Sequence, residues 1–299
     1  PYNFCNLVEL NAGRIYNQED FNQVARDGAF IGTLQAGYTK FHYLNPKWRE
    51  TCEASSLLGV SMTGIASGTV TKLDMAEAAR EAKKSNIEVA AKIGINPAHR
   101  VTTIKPAGTT SLVLGTSSGI HAWHANYYLR RMRAGKNEAL AQYMQRVAPE
   151  LVEQDQMVPH QLVLSFPQKA PEGACLRTED MFDLLERVKQ VSQEWVASGH
   201  TEGENRHNVS CTISVKEEEW PDLVDWMWKN REDYNGISVL PYDGGTYIQA
   251  PFEDITEETY LGLLPALEGI DVGRIYEEDG KAVNLVGELA CQGGVCEIA

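Results

Sequence analysis

Two cysteines near the chain end have the spacing of a reversible dithiol. Cys291 and Cys296 are separated by four residues, with Gly293 and Gly294 between them. Glycines take backbone angles that other residues avoid, so the chain can fold back there. That brings two Cα atoms within the ~7 Å a disulfide requires. A terminus is mobile unless something ties it down, which favours an electron carrier over a structural staple. Zinc is the alternative chemistry, but it needs two further ligands at similar spacing. No histidine follows His207, and no second close cysteine pair exists. Cys5, Cys52, Cys175 and Cys211 are isolated, and the plain reading of each is a small buried apolar residue.

A second constellation runs from Lys105 to Ser111 as Lys105-Pro106-Ala107-Gly108-Thr109-Thr110-Ser111. Pro106 stops a strand ladder and Gly108 permits close backbone approach. Thr109, Thr110 and Ser111 add hydroxyls and N–H groups, and Lys105 adds charge. Converging donors of this kind suit a phosphate, helped by the dipole if a helix begins there. An ordinary polar turn is the competing reading, and no Gly-Lys-Ser/Thr closes a P-loop. A third stretch carries His121, His124, Arg130, Arg131 and Arg133. The histidines are too few for a metal set, and the arginines either hold polyphosphate or pair with surface acids. Gly244 and Gly245, after a strand, mark a fourth loop open to a ligand.

The elements that must position these groups alternate. Extended stretches are expected over 1–10, 100–104, 127–129, 161–166, 208–215 and 237–240. Helices are expected from the Asn17 cap, from Thr71 to near Gly94, over 138–147, from the Thr178 cap to about Ala197, over 220–228 and over 256–264. Such alternation indicates an α/β fold with much of the sheet parallel. From Glu277 onward the pattern weakens. The piece 277–291 could span roughly 45 Å when extended, enough to carry a dithiol into an interior site.

The 299 residues bear a net charge of −14, with 43% hydrophobic and 23% charged side chains. A globular core is available, and broad binding to nucleic acid or anionic membrane is disfavoured. No apolar run reaches membrane-helix length and no basic leader opens the chain, so the expected location is cytoplasmic.

Together and in this order, four segments resemble the C-terminal part of class II, adenosylcobalamin-dependent ribonucleoside-triphosphate reductases. They are the 105–111 loop, the stretch 117–133, the stretch 235–247 and the 291–296 pair. The likeness spans essentially the whole chain. It implies the C-terminal half of a ten-stranded α/β barrel over 1–276, followed by a flexible redox tail over 277–299. It implies reduction of ribonucleoside triphosphates by a cobalamin-initiated thiyl radical, with the cofactor supplying the hard chemistry. In that frame Cys5 is one of two reducing thiols. Cys291 and Cys296 re-reduce the site by thiol–disulfide exchange, and thioredoxin or a similar dithiol reduces them. Residues 105–111 seat the substrate phosphates.

The family's Asn-x-Cys-x-Glu motif, expected shortly before Pro1, is absent. So are the second reducing cysteine and much of the cobalamin site. The chain alone is therefore expected to be inactive, as a truncated sequence or one piece of a split enzyme that needs a missing N-terminal part. Class I enzymes carry a Tyr-Tyr dyad farther from the phosphate loop than Tyr127-Tyr128, and the paired cysteines of class III are not seen. A non-catalytic nucleotide-binding subunit and a thiol–disulfide redox subunit are the alternatives.

Overall fold

The structure is a computed structural model that describes residues 2–242 and 248–275. Cys291, Cys296, Gly244, Gly245 and the expected boundary at 276 lie outside these residues. In chain order the elements are β1 (Asn6–Asn11), α1 (Gln18–Ala36), α2 (Pro46–Ser55), β2 (Leu58–Thr63), α3 (Met75–Ile93), α4 (Gly108–Val113), β3 (Tyr127–Gly135), α5 (Ala139–Val147), β4 (Val152–Gln154), β5 (Gln161–Lys169), α6 (Met181–Val191), β6 (Cys211–Val215), α7 (Trp220–Lys229), β7 (Ile237–Pro241), β8 (Phe252–Asp254) and α8 (Glu257–Glu268). They form a mixed α/β protein in two compact units, one of 2–123 with 172–242 and the other of 124–171 with 248–275.

In the first unit β1 pairs with β2, and β6 with β7, both parallel. The expected strand over 100–104 lies between these pairs. It makes isolated parallel bridges, Thr102 to Val60 and Ile104 to Val209, in place of a continuous ladder. The reason is shared hydrogen bonding: Val101 N–H turns to the Gly199 carbonyl while Thr103 N–H reaches Val60. Among the described residues the sheets have two, four and two strands and close no barrel.

Helix starts follow local capping chemistry. The Asn17 side chain accepts from Asp20 N–H at 2.9 Å. The start expected at Thr71 moves to Asp74, which accepts from Glu77 N–H at 2.8 Å, because Val70–Lys72 form a 3-10 turn first. The start expected at Thr178 moves to Asp180, which accepts from Phe182 N–H at 2.7 Å. Helix α2 was not legible as a helix in advance, although Asn45 caps it and Pro46 occupies its first turn.

Small residues let the helices sit close. Gly28 of α1 faces Leu10, where a Cβ would come within 2.6 Å of its Cδ2. The α1–α3 contact uses Ala25, Ala29, Ala78 and Ala82, all fully buried. Asn86 donates to Thr33 Oγ1 at 2.9 Å across it. Ile87 and Ile93 of α3 are exposed, because the close approach selects alanines for the face that packs on α1.

After α6 the helix widens into a π-helical turn, Ser192–Val196, which swings Trp195 into the core. The indole N–H donates to both the Val60 and the Thr103 carbonyls at 3.2 Å, and Trp195 is fully buried against Phe21.

The second unit is an antiparallel sheet in the order β4-β5-β3-β8. Its core gathers Tyr143, Met144, Leu151, Leu162 and Leu164, with Leu263 and Leu267 packed on it. Among the described residues no helix is long and apolar enough to cross a membrane.

Trp195→Ala is expected to cost about 3–5 kcal/mol in urea unfolding followed by circular dichroism. Trp195→Phe is expected to cost about 1–2 kcal/mol, the loss of one donor serving two buried carbonyls. Wild-type stability for Trp195→Phe would show that the indole N–H is dispensable.

Candidate active site

Strand alternation gives the first unit two faces. Leu10, Leu58, Val60 and Met62 point into the helix-covered core. The other face carries Cys5, Leu7 and Gly59. A Cβ on Gly59 would lie 2.9 Å from Cys5 Sγ and 3.2 Å from Thr103 Cγ2, so the missing side chain makes room for the sulfur. Farther along, Ser61 Oγ accepts from Lys105 N–H at 3.0 Å. Thr63 Oγ1 donates to the Ser117 carbonyl at 2.9 Å and accepts from Gly119 N–H at 3.0 Å. Apart from Leu7, the side chains named on this face are polar.

Cys5 is half-buried. Burial pushes its thiol up to about 11, while the Lys105 and Arg100 charges pull the other way. Its sulfur lies 3.8 Å from His207 Nε2. Cys5 also lines a cavity of about 560 Å³ whose other walls include Phe4, Tyr38, Phe41, Tyr43 and Cys52. Cys52 and Cys211 are buried and Cys175 half-buried, in keeping with small packing residues.

Lys105 begins the candidate phosphate loop and its ammonium donates to Asn208 Oδ1. Pro106 is exposed and Ala107 buried, with Ala107 N–H held by Ser118 Oγ at 2.9 Å. Gly119 has φ 55°, and a Cβ there would come within 2.6 Å of the Lys105 carbonyl. Only glycine fits that contact, so 116–119 braces the loop from beneath. Gly108, Thr109 and Thr110 open α4 and are exposed. Ser111 is buried, and its hydroxyl donates back to the Gly108 carbonyl at 3.1 Å. The structure thus leaves the Thr109 and Thr110 hydroxyls outward and ties Ser111 inward.

The histidines of the third stretch serve different partners. His121 Nδ1 meets the Ser118 carbonyl at 3.0 Å and Nε2 accepts from Thr212 N–H at 3.1 Å, which pins the brace to β6. His124 pairs with Asp254 at 2.8 Å. No group of three metal-ligating side chains occurs among the described residues. The arginines are used within the antiparallel sheet. Arg131 pairs with Glu253 at 2.5 Å, Arg133 with Asp155 at 2.8 Å, and Arg130 stacks over Phe252 at 4.1 Å.

Glu9, Ser61, Asn208 and His207 belong to this face but were not singled out in the sequence. A period-two reading of Cys5-x-Leu7-x-Glu9 would have found Glu9. Burial pushes its carboxyl up to about 7, against the hydrogen bond from Ser61, and Oε2 is buried without a partner.

No protein-family model matches the chain. Curated relatives are named adenosylcobalamin-dependent ribonucleoside-triphosphate reductase. The one from Lactobacillus acidophilus is 28% identical over 210 residues, covering 69% of this chain and 27% of the relative. That from Lactobacillus delbrueckii subsp. bulgaricus is 25% identical and covers 99% of this chain and 45% of the relative. This chain is similar to the adenosylcobalamin-dependent ribonucleoside-triphosphate reductases. A crystal structure of a B12-dependent, class II ribonucleotide reductase shares the fold, with a TM-score of 0.74 at 19% identity, over 94% of this chain and 42% of that one. The chain spans between about a quarter and under a half of the reductases it matches.

The Glu9 shift has a defined pH signature. Its folded pKa is raised above the ~4.3 of an unfolded Glu, so its favourable contribution is full below about pH 4 and is lost as pH rises through about 7. Glu9→Gln removes the charge that the fold disfavours. At pH 8 the variant is expected to melt about 2–4 °C above wild type, roughly 1 kcal/mol once partial exposure is allowed for. At pH 4 the gap closes. An equal offset at both pH values would contradict this account.

Proposed function

We propose that this chain supplies the reducing-thiol and phosphate-seating part of a ribonucleotide reductase. The reaction is replacement of the 2′-OH of a ribonucleoside triphosphate by hydrogen, through a thiyl-radical route. In it two thiols become a disulfide and the hydroxyl departs as water, so the electrons balance. Cys5 is one of those thiols. Thr109 and Thr110, presented at the start of α4, contact the phosphates, and Lys105 sets the potential between the two sites. The five consecutive parallel segments, from β1 through 100–104 to β7, are read as one half of a ten-stranded barrel. Cys291 and Cys296 return electrons from thioredoxin or a similar dithiol.

One observation carries the reading: the Cys5 sulfur and the root of the 105–111 loop share one polar face, with Gly59 and Thr103 between them. The relatives' names supply the cofactor, adenosylcobalamin. The described residues do not by themselves fit it. The cavity at Cys5, about 560 Å³, lies mid-range for drug-sized ligands, whereas a cobalamin is far larger. The cofactor's place is therefore assigned to the remaining part of the enzyme. A stand-alone thiol–disulfide oxidoreductase using the tail pair calls for an acidic thiol in a Cys-x-x-Cys motif, and the sequence has no such motif.

The test is reconstitution with a polypeptide carrying the relatives' N-terminal portion, adenosylcobalamin and a triphosphate substrate. Deoxyribonucleotide formation is expected. Cys5→Ser is expected to abolish it with every reductant. Cys291→Ser is expected to abolish thioredoxin-driven turnover and spare turnover driven by a small dithiol. Undiminished activity of Cys5→Ser with the dithiol would remove Cys5 from its role.

A further inference from the structure

His207 sits where its chemistry is fixed by its neighbours. Its Nε2 lies 2.7 Å from the Leu58 carbonyl oxygen and 3.8 Å from Cys5 Sγ. A carbonyl only accepts, so Nε2 must carry the hydrogen. Burial holds the ring's pKa at about 4, with Arg100, Lys105 and His200 opposing its charge, so the imidazole is neutral at pH 7. Nε2 is therefore a donor and cannot take the proton of the thiol. Leu58 is the neighbour of Gly59 in β2, whose missing side chain seats the same sulfur. One strand thus positions both partners. The charged groups acting on the sulfur, Lys105 and Arg100, are both cations.

We propose that His207 is a positioning residue for Cys5, its Nε2–H, donated to the Leu58 carbonyl at rest, being shared with the sulfur when that sulfur becomes a thiolate. This rests on reading Cys5 as a redox thiol. When an incoming thiolate opens a disulfide between Cys5 and a second cysteine, the new S–S bond forms to that second cysteine. The old bond breaks and its electron pair stays on Cys5 Sγ. The sulfur whose thiolate is better stabilised leaves faster. His207 and the two cations thereby ease that release, against the burial that holds the Cys5 thiol at about 11.

Two measurements on the full chain test this without turnover, so they can fail independently of the reductase reading. Long-range ¹H–¹⁵N correlation on histidine-labelled protein at pH 7 is expected to show His207 as the Nε2–H tautomer; an Nδ1–H tautomer overturns the proposal. Iodoacetamide alkylation of Cys5, resolved by mass spectrometry across pH 7–9, below the thiol's midpoint at about 11, reads the donor through the rate. In His207→Leu the midpoint is expected to rise by about one pH unit. Alkylation at pH 8 then slows roughly threefold, since a less acidic thiolate is also more nucleophilic. His207→Gln, which keeps an amide donor at similar reach, is expected to stay near wild type. An unchanged alkylation rate at pH 8 in natively folded His207→Leu, or a His207→Gln as slow as it, overturns the proposal. If the leucine variant does not fold, His207→Phe, which keeps a ring and removes the donor, takes its place in the alkylation measurement.

Discussion

The parallel pairing of β1, β2 and the 100–104 segment is the constraint on which the candidate site depends. Because side chains alternate along a strand, one registration decides which residues meet the helices and which meet the ligand. Val60 and Leu58 go one way, Gly59 and Ser61 the other. A slip of one residue would put Cys5 into the aliphatic core and Leu10 onto the polar face. Trp195 fixes the next register along, because its indole bonds one carbonyl of β2 and one of the 100–104 segment. The small residues of α1 act toward the same end. They draw the helix onto the aliphatic face closely enough that no polar side chain could be accommodated there.

The electrostatics of the polar face follow from what is left out of it. Among the described residues, the charges that act on Cys5 are the cations Lys105 and Arg100. Glu9, on the same strand, has a carboxyl that burial keeps poised near neutrality. The brace at 116–119 is built from backbone contacts and hydroxyls, so it holds the loop without adding a negative charge beside a phosphate site. An anionic substrate is compatible with that arrangement, whereas a ring of fixed carboxylates would oppose it.

Much of this was legible before the coordinates. The helix cap at Asn17, the helix expected over 256–264 and the strands expected from 127, 161 and 237 follow from local signals that tertiary contacts do not override, while the strand expected from 208 begins at Cys211. The 105–111 loop stood out by composition and the structure places it after the 100–104 segment. Other features were hidden for physical reasons. The alanine face of α3 carries little hydrophobic signal, because its burial comes from close approach and not from large side chains. The π-helical turn that delivers Trp195 has no sequence mark distinct from an ordinary helix end. His207 looked like one polar residue in an exposed run, since its partners Leu58 and Cys5 are far away in sequence.

The raised pKa of Cys5 bears on which step it can serve. A nucleophilic cysteine must be a thiolate at rest, and burial beside Gly59 prevents that. A reducing thiol has the opposite need: it must hold its hydrogen until a reactive intermediate on the substrate draws it away. Desolvation supplies this by penalising the charged form. The same sulfur must nevertheless leave as a thiolate when its disulfide is reopened, and a purely apolar pocket would make that step slow. A neutral donor at His207, with cations farther off, reconciles the two. It lowers the energy of the thiolate when it forms without making the thiolate the resting state, which a protonated imidazole at the same distance would do.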